Sequence, residues 1–284
     1  MAAPVVSIGG VEVGRGRPLA LIAGPCVIES EELVLEVAGR VSELADELGL
    51  PFVFKSSYLK DNRSSPGSHA GPGLEGGLRA LERVKNELGV PVLSDIHERG
   101  EVAAAAEVLD ALQIPAFLCR QTRLLEDAAR TGLPVNIKKG QFMAPGDMGR
   151  IVAKAEAAGG RSVLLTERGS SFGYNNLVVD MRSFSIMSGF GCPVVFDATH
   201  SVQLPGAAGG VSGGQPEFVP VLARAACAAG CDALFLETHP EPASALSDAH
   251  SMIPLGELRG LLEGVLPMAR AFRGGEGVND AGVR

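Results

Sequence analysis

Four residues far apart in the chain, Cys26, His200, Glu237 and Asp248, offer a thiolate, an imidazole and two carboxylates. That donor set suits a divalent first-row ion better than calcium or magnesium, which prefer oxygen alone. No local spacing of the Cys-x-x-Cys kind ties them together, so the set acquires meaning only where a fold gathers its segments. Singly, Cys26 reads equally as a small buried hydrophobe and His200 as a partnered core histidine. A second group is cationic: the run Lys55-Ser56-Ser57-Tyr58-Leu59-Lys60-Asp61-Asn62-Arg63-Ser64-Ser65, then Arg120, Lys138-Lys139 and Arg168-Gly169-Ser170-Ser171. Lysine brings a point charge and arginine a planar fork, while serine hydroxyls and glycine amides add donors. Together these suit phosphate and carboxylate ligands. Any one of these cations could equally be a solvated surface residue. Asp95 could orient a lysine or bind substrate hydroxyls.

The elements that must position these residues alternate. Short continuous apolar runs at Leu19–Ala23, Phe52–Lys55, Val90–Ser94, Leu112–Pro115, Val135–Lys138, Ser162–Thr166, Val194–Asp197 and Ala233–Glu237 read as strands. Each is followed by a helical pattern: Ser30 to Gly49, Leu74–Leu88, Gly100–Leu109, Leu124–Arg130, Ile151–Ala157, Met181–Ser188, Phe218–Ala229 and Leu255–Ala271. Ser30 is the expected N-cap of the first, with Glu31 and Glu32 in its opening turn and Gly49 closing it. Unbroken rather than alternating apolar strands fit a parallel sheet covered on both faces. Eight right-handed β-then-α units close into a (β/α)8 TIM barrel, in which chemistry collects at the C-terminal ends of strands. A doubly wound sheet is the competing arrangement, but no Gly-x-Gly-x-x-Gly fingerprint marks a switch point. No linker divides residues 1–284. Within residues 1–17, Val5–Arg15 is expected to form a hairpin turned by Gly9-Gly10. Residues 274–284 are expected to be a frayed tail.

Composition excludes other classes. Lys and Arg number 25 against 33 Asp and Glu, a net charge of −8, which argues against nucleic acid or an anionic membrane as partner. No apolar run reaches the roughly 18 residues of a membrane span, and MAAPVVSIGG lacks the basic start of a signal peptide. Five scattered cysteines make no disulfide framework, so the expected compartment is the reducing cytoplasm. Among them, Cys227 and Cys231 read as core. His239 either shares the face of Glu237 or caps its strand, and His69 and His250 read as surface histidines. Gly206–Gly214 has flexible-loop composition, suited to a lid and equally to a plain connection.

The strand-end motifs carry a resemblance. IAGPCVIES (Ile22–Ser30), FKSSYLKDNRSSPGSHAGPG (Phe54–Gly73), LSDIH (Leu93–His97), QIPAFLCR (Gln113–Arg120), NIKKGQ (Asn136–Gln141), ERGSSFGYN (Glu167–Asn175), FDATHSVQ (Phe196–Gln203), GQPEFVP (Gly214–Pro220) and ETHPEPASALSD (Glu237–Asp248) resemble the 3-deoxy-D-manno-octulosonate 8-phosphate synthases. The likeness runs from Leu19 to Phe272. The Lys-Ser-Ser-Tyr…Lys-Asp-Asn-Arg-Ser-Ser loop sets them apart from the related heptulosonate synthases, whose loop follows a Lys-Pro-Arg-Thr-Ser pattern.

The resemblance implies condensation of phosphoenolpyruvate with D-arabinose 5-phosphate and water in lipopolysaccharide biosynthesis, by a homotetramer. It implies that Lys55, Ser57, Lys60, Lys138 and Arg168 hold phosphoenolpyruvate, with Gln113 and Ala116 shaping that pocket. Asn62, Arg63 and Ser64, with Asp95, would hold the sugar phosphate, and Arg120 would reach that of a neighbouring subunit. Cys in the Gly-Pro-Cys position, with Leu246-Ser247-Asp248-Ala249, resembles the metal-dependent class. This implies one divalent ion (iron, zinc, manganese, cobalt or cadmium) on Cys26, His200, Glu237 and Asp248. Whether such an ion orients the aldehyde or activates water stays open. Other readings are the heptulosonate relative acting on erythrose 4-phosphate, a Schiff-base aldolase using Lys138, and a non-catalytic sugar-phosphate-binding barrel.

Overall fold

The computed structural model describes residues 5–61, 69–208 and 211–275. The predicted sugar-phosphate residues Asn62, Arg63 and Ser64 lie outside the described residues, as does most of the expected tail. The chain opens on an antiparallel hairpin, β1 (Val5–Ile8) and β2 (Val11–Gly14). Gly9 and Gly10 make its turn at φ of 53° and 94°, a left-handed pair that glycine adopts without a Cβ clash. Alternating units follow: β3 (Ala20–Gly24) and α1 (Glu31–Leu48), β4 (Phe52–Lys55) and α2 (Gly73–Leu88), β5 (Val92–Asp95) and α3 (Val102–Val108), β6 (Ala111–Ile114) and α4 (Thr122–Arg130), β7 (Val135–Lys138) and α5 (Met148–Ala157). After β8 (Val163–Glu167), a short hairpin of β9 (Ser170–Ser171) and β10 (Leu177–Val178) precedes α6 (Arg182–Ser188). After β11 (Val194–Asp197), the ribbon β12 (Gln203–Ala208) and β13 (Val211–Gly214) precedes α7 (Val219–Ala229). Last come β14 (Ala233–His239), β15 (Ile253–Pro254) and α8 (Leu258–Gly275).

Parallel pairing runs unbroken from β3 through β8 to β11, and β14 pairs with both β11 and β3. That closes the barrel. Alternation along each strand then separates two cores. Leu21, Phe54, Val92, Leu112, Ile137, Leu165, Phe196 and Leu236 face the helices. Ala20, Ile22, Val53, Leu93, Ala111, Leu164, Val195, Ala233 and Phe235 fill the lumen, which Val6, Ile8 and Val13 of the hairpin plug from below. Going up the lumen side by twos, the next positions are Lys55, Asp95, Gln113, Thr166, Asp197 and Glu237, all buried. The apolar filling therefore stops about halfway, and a polar tier begins at the strand ends.

The first helix is built as its sequence predicts. The Ser30 hydroxyl accepts from the Leu33 amide at 3.1 Å, and Gly49 caps the other end at φ 67°. Substituting such an N-cap typically costs about 1 kcal/mol. Several boundaries shift by a few residues. The third strand begins at Val92 rather than Val90 and includes Asp95. The final helix carries Pro267 and runs on to Gly275, past the start of the predicted tail. Within the glycine-rich stretch Gly206–Gly214, residues 206–208 and 211–214 belong to the β12–β13 ribbon, with a register shift between Leu204 and Ala208. No helix among the described residues is long and apolar enough to cross a membrane.

Candidate active site

The polar tier floors a cavity of about 530 Å³ at the C-terminal mouth of the barrel, within the range of small-ligand sites. Lys60, Lys138 and Arg168 line it with Asp95, Ala116, His200 and Asp248. Lys55 lies just beneath, where its Nζ donates to Ser57 Oγ at 2.8 Å and to Glu237 Oε1 at 3.2 Å, and sits 3.3 Å from Asp95 Oδ2. Lys60 Nζ is 3.6 Å from the same Glu237 oxygen. Lys138 donates to Asp197 Oδ2 at 2.6 Å and lies 3.9 Å from the centre of the Phe235 ring. Arg168 is held through Nη2 by Gln203 Oε1 at 2.8 Å, while its buried Nη1 has no hydrogen-bond partner among the described residues. Burial presses the Lys138 ammonium and the Arg168 guanidinium below their ordinary pKa values, so bound anionic oxygens would relieve both.

Beneath the cavity the polar side chains form a directed chain. Thr166 donates to Asn136 at 2.6 Å, Asn136 to Gln113 at 2.8 Å, and Gln113 to Asp95 at 2.6 Å. Ser57 donates to the other Asp95 oxygen. Every arrow ends on Asp95, which must therefore be an ionised acceptor. Burial works to raise its pKa, but Lys55, Lys60 and Lys138 outweigh burial and hold the carboxyl well below its usual range. Gln113 is fully buried with both ends of its amide engaged, so it braces the floor from below.

The four candidate ligands gather at one edge of the same mouth. Donor atoms of Cys26, Glu237 and Asp248 lie within 4.8 Å of one another. His200 Nε2 is 3.6 Å from Glu237 Oε2 and 3.8 Å from Asp248 Oδ2. Cys26 follows β3, Glu237 is on β14 beside it, and His200 follows β11, so barrel closure makes neighbours of residues more than 200 positions apart. Asp248 adopts φ 48°, uncommon for a residue with a side chain. Its loop is pinned by Leu246 N–H donating to Glu29 Oε1 at 2.9 Å and by Ser251 N–H donating to the Asp248 carbonyl at 3.0 Å.

The sequence matches the DAHP synthetase I family over residues 3–269. The chain belongs to this family. It is 58% identical over 265 residues to the 2-dehydro-3-deoxyphosphooctonate aldolase of Alkalilimnicola ehrlichii, covering 93% of this chain and 96% of that protein. The enzyme of the same name from Trichlorobacter lovleyi is 60% identical over 258 residues, 91% and 95% of the two chains. That from Legionella pneumophila (strain Lens) is 58% identical over 254 residues, 89% and 93%.

In this DAHP synthetase I family member the donor chemistry fits a divalent ion. Glu237 Oε2 is buried with no hydrogen-bond donor among the described residues. His200 Nδ1 lies 2.8 Å from Asp197 Oδ2, a close electrostatic contact rather than an aligned hydrogen bond, on the side where metal-bound imidazoles usually have their backing, and Nε2 faces the carboxylates. Burial, then Asp248 and Glu237, push the Cys26 thiol well above its ordinary pKa, and its Sγ donates to Asp248 Oδ2 at 3.1 Å. A divalent charge would reverse that preference and stabilise the thiolate.

Asp197 was no candidate from sequence, yet it joins the two halves of the site. It is fully buried, pairs with Lys138 and His200, and accepts from the His200 amide at 2.9 Å. Its position two residues above Val195, on the lumen side, was the available signal. Asn136 and Thr166 carry the same signal, as polar residues at lumen positions of otherwise apolar strands. Arg120 stays outside this cavity, in a shallow depression with His97, Arg99 and Arg123.

Proposed function

We propose that this chain condenses phosphoenolpyruvate with D-arabinose 5-phosphate and water, giving 3-deoxy-D-manno-octulosonate 8-phosphate and inorganic phosphate. The reading combines the activity named in its relatives with one structural observation. The buried cations Lys55, Lys138 and Arg168, with Lys60, converge beside a thiol, an imidazole and two carboxylates at the barrel mouth. Such a mouth supplies charge for a phosphate and a carboxylate together and a separate seat for a divalent ion.

In this reading Arg168 Nη1 and Lys138 grip the anionic ends of phosphoenolpyruvate, with Lys60 on the opposite wall. Ala116, small and buried, leaves room for the enol carbons. Ser57 and Lys55 hold Asp95 ionised, and Asp95 accepts from a hydroxyl of the incoming sugar. Carbon 3 of the enol attacks the sugar aldehyde and forms the new carbon–carbon bond, while the aldehyde oxygen takes up a proton. Water adds to carbon 2 and gives up a proton; the hydroxyl so formed then collapses to the ketone as the bond from carbon 2 to the ester oxygen breaks, its proton going to the departing phosphate. Cys26, His200, Glu237 and Asp248 would hold a divalent ion, which when bound polarises an oxygen ligand as a Lewis acid. Asp197 pairs with Lys138 at 2.6 Å, opposing the burial that lowers the lysine's pKa, and stands against the His200 imidazole. The assembly follows the resemblance as a homotetramer, with Arg120 offered to a neighbouring subunit, and the working compartment is the cytoplasm.

The test is phosphate release from phosphoenolpyruvate with arabinose 5-phosphate or erythrose 4-phosphate, before and after a chelator. Preference for the four-carbon sugar, or substrate binding without phosphate release, would overturn the reading. Trapping of a lysine adduct by borohydride would favour the Schiff-base alternative instead. Light scattering of the eluting protein tests the tetramer.

A further inference from the structure

Lys139 follows directly on Lys138, but alternation points it out of the lumen, on the same side of the wall as Ile137. Glu167, next to Leu165 on β8, points the same way. Lys139 is fully buried and Glu167 is 1% exposed. Lys139 Nζ lies 3.4 Å from Glu167 Oε1, donates to the Gly169 carbonyl at 3.1 Å and to Ser170 Oγ at 3.0 Å, and reaches the Met143 carbonyl at 3.5 Å. Glu167 Oε1 in turn accepts from the Gly169 amide at 2.6 Å. Each of these contacts except that to Met143 falls on residues 167–170, the turn that carries Arg168. Gly169 stands at its centre with φ 91°, a left-handed backbone.

A buried ion pair is a poor device for stability, because an apolar pair of similar volume is often as good or better. What this pair adds is geometry. It holds both the amide and the carbonyl of Gly169, the residue after Arg168, from behind the wall, while Gln203 fixes the guanidinium from within the cavity. We infer that Lys139 and Glu167 are positioning residues for Arg168, setting the guanidinium at the height where it meets the anion without touching ligand themselves. This rests on the reading above in which Arg168 grips phosphoenolpyruvate.

The test is a thermodynamic cycle on the full-length protein, with phosphoenolpyruvate binding followed by calorimetry. Lys139→Met/Glu167→Gln removes both charges while keeping side-chain length, so no unpaired charge is left in the wall. Its thermal midpoint should stay near that of the wild type, while phosphoenolpyruvate binds about tenfold more weakly, a loss typical of a sub-ångström misplacement. The KM for phosphoenolpyruvate should rise with it and that for arabinose 5-phosphate should hardly move. Adding Arg168→Ala to the pair variant should cost much less than Arg168→Ala costs alone, the non-additivity of residues that act through one another. Should the pair variant fail to fold, Glu167→Gln alone carries the test, with a smaller weakening in the same direction. Wild-type affinity in the folded variant, or strictly additive losses, would overturn the inference. Wild-type protein that does not bind phosphoenolpyruvate would instead sink the reading of the site.

Discussion

Replacing Asp197 by Asn tests the site at its joint. The carboxylate is fully buried, with Lys138 Nζ at 2.6 Å and His200 Nδ1 at 2.8 Å. Asn matches its volume but cannot neutralise Lys138, and removing one partner of a buried pair costs about 3–5 kcal/mol. The stability loss should fall toward the lower end, because burial already weakens the hold of Lys138 on its proton and the amine can shed it. A second consequence concerns metal. With the backing of its imidazole weakened, the site should bind a divalent ion about 10–100-fold less tightly. Burial raises the Asp197 carboxyl, but His200 and Lys138 outweigh it and leave its pKa far below the carboxylate range. A carboxyl depressed in the folded state contributes fully above its unfolded pKa and less as pH falls toward the folded value. The gap between wild type and Asp197→Asn should therefore be full at neutral pH and shrink in acid. Denaturant unfolding at pH 7 and well below the unfolded aspartate pKa, at about pH 2.5, with calorimetric zinc titration at neutral pH, measures both effects. An Asp197→Asn protein with unchanged stability and unchanged zinc affinity would refute the assignment of Asp197 as the link between cation and metal sites.

Arg168→Ala should leave the fold intact and lose about 2–5 kcal/mol of transition-state stabilisation, read as kcat/KM for phosphoenolpyruvate; a folded variant with wild-type turnover excludes the role. Chelator should abolish activity, first-row divalent ions should restore it, and Cys26→Ala should lose both metal and turnover. Cys26→Asn should keep some activity that chelator no longer touches, and full activity of metal-free wild type would remove the case for the ion. Glu101 has the His97 ring nitrogen Nδ1 at 3.6 Å and accepts from the His97 amide at 2.7 Å and Tyr58 Oη at 2.8 Å; against the pull of burial these hold its pKa down to about 2. Glu101→Gln should cost about 1–2 kcal/mol at pH 7 in denaturant unfolding, discounted for a half-buried group, with the difference fading as pH drops below the ordinary glutamate value.

Much of this protein was legible before any coordinates. Eight apolar runs, each followed by a helical pattern, specify a closed parallel barrel because hydrophobic period and crossover handedness leave few other arrangements. Ser30, Gly49 and Gly9-Gly10 mark their cap, stop and turn through local backbone chemistry alone. Cys26, Lys138, Arg168, His200 and Glu237 could be proposed as one site because strand ends of such a barrel share a face. Asp197, Asn136 and Thr166 were missed, although each is a polar residue on an otherwise apolar strand, because pattern alone does not say which alternate positions face the lumen. Register and closure decide that, and they also place Lys138 in the cavity and Lys139 behind the wall. Nor does the sequence reveal that Gln113 spends both ends of its amide on neighbours, or that Asp248 takes a left-handed backbone to meet Cys26. Pattern in a sequence reports periodicity and local conformation, which act over a few residues. The charges that tune this site meet across the barrel, where only tertiary closure brings them within a few ångströms.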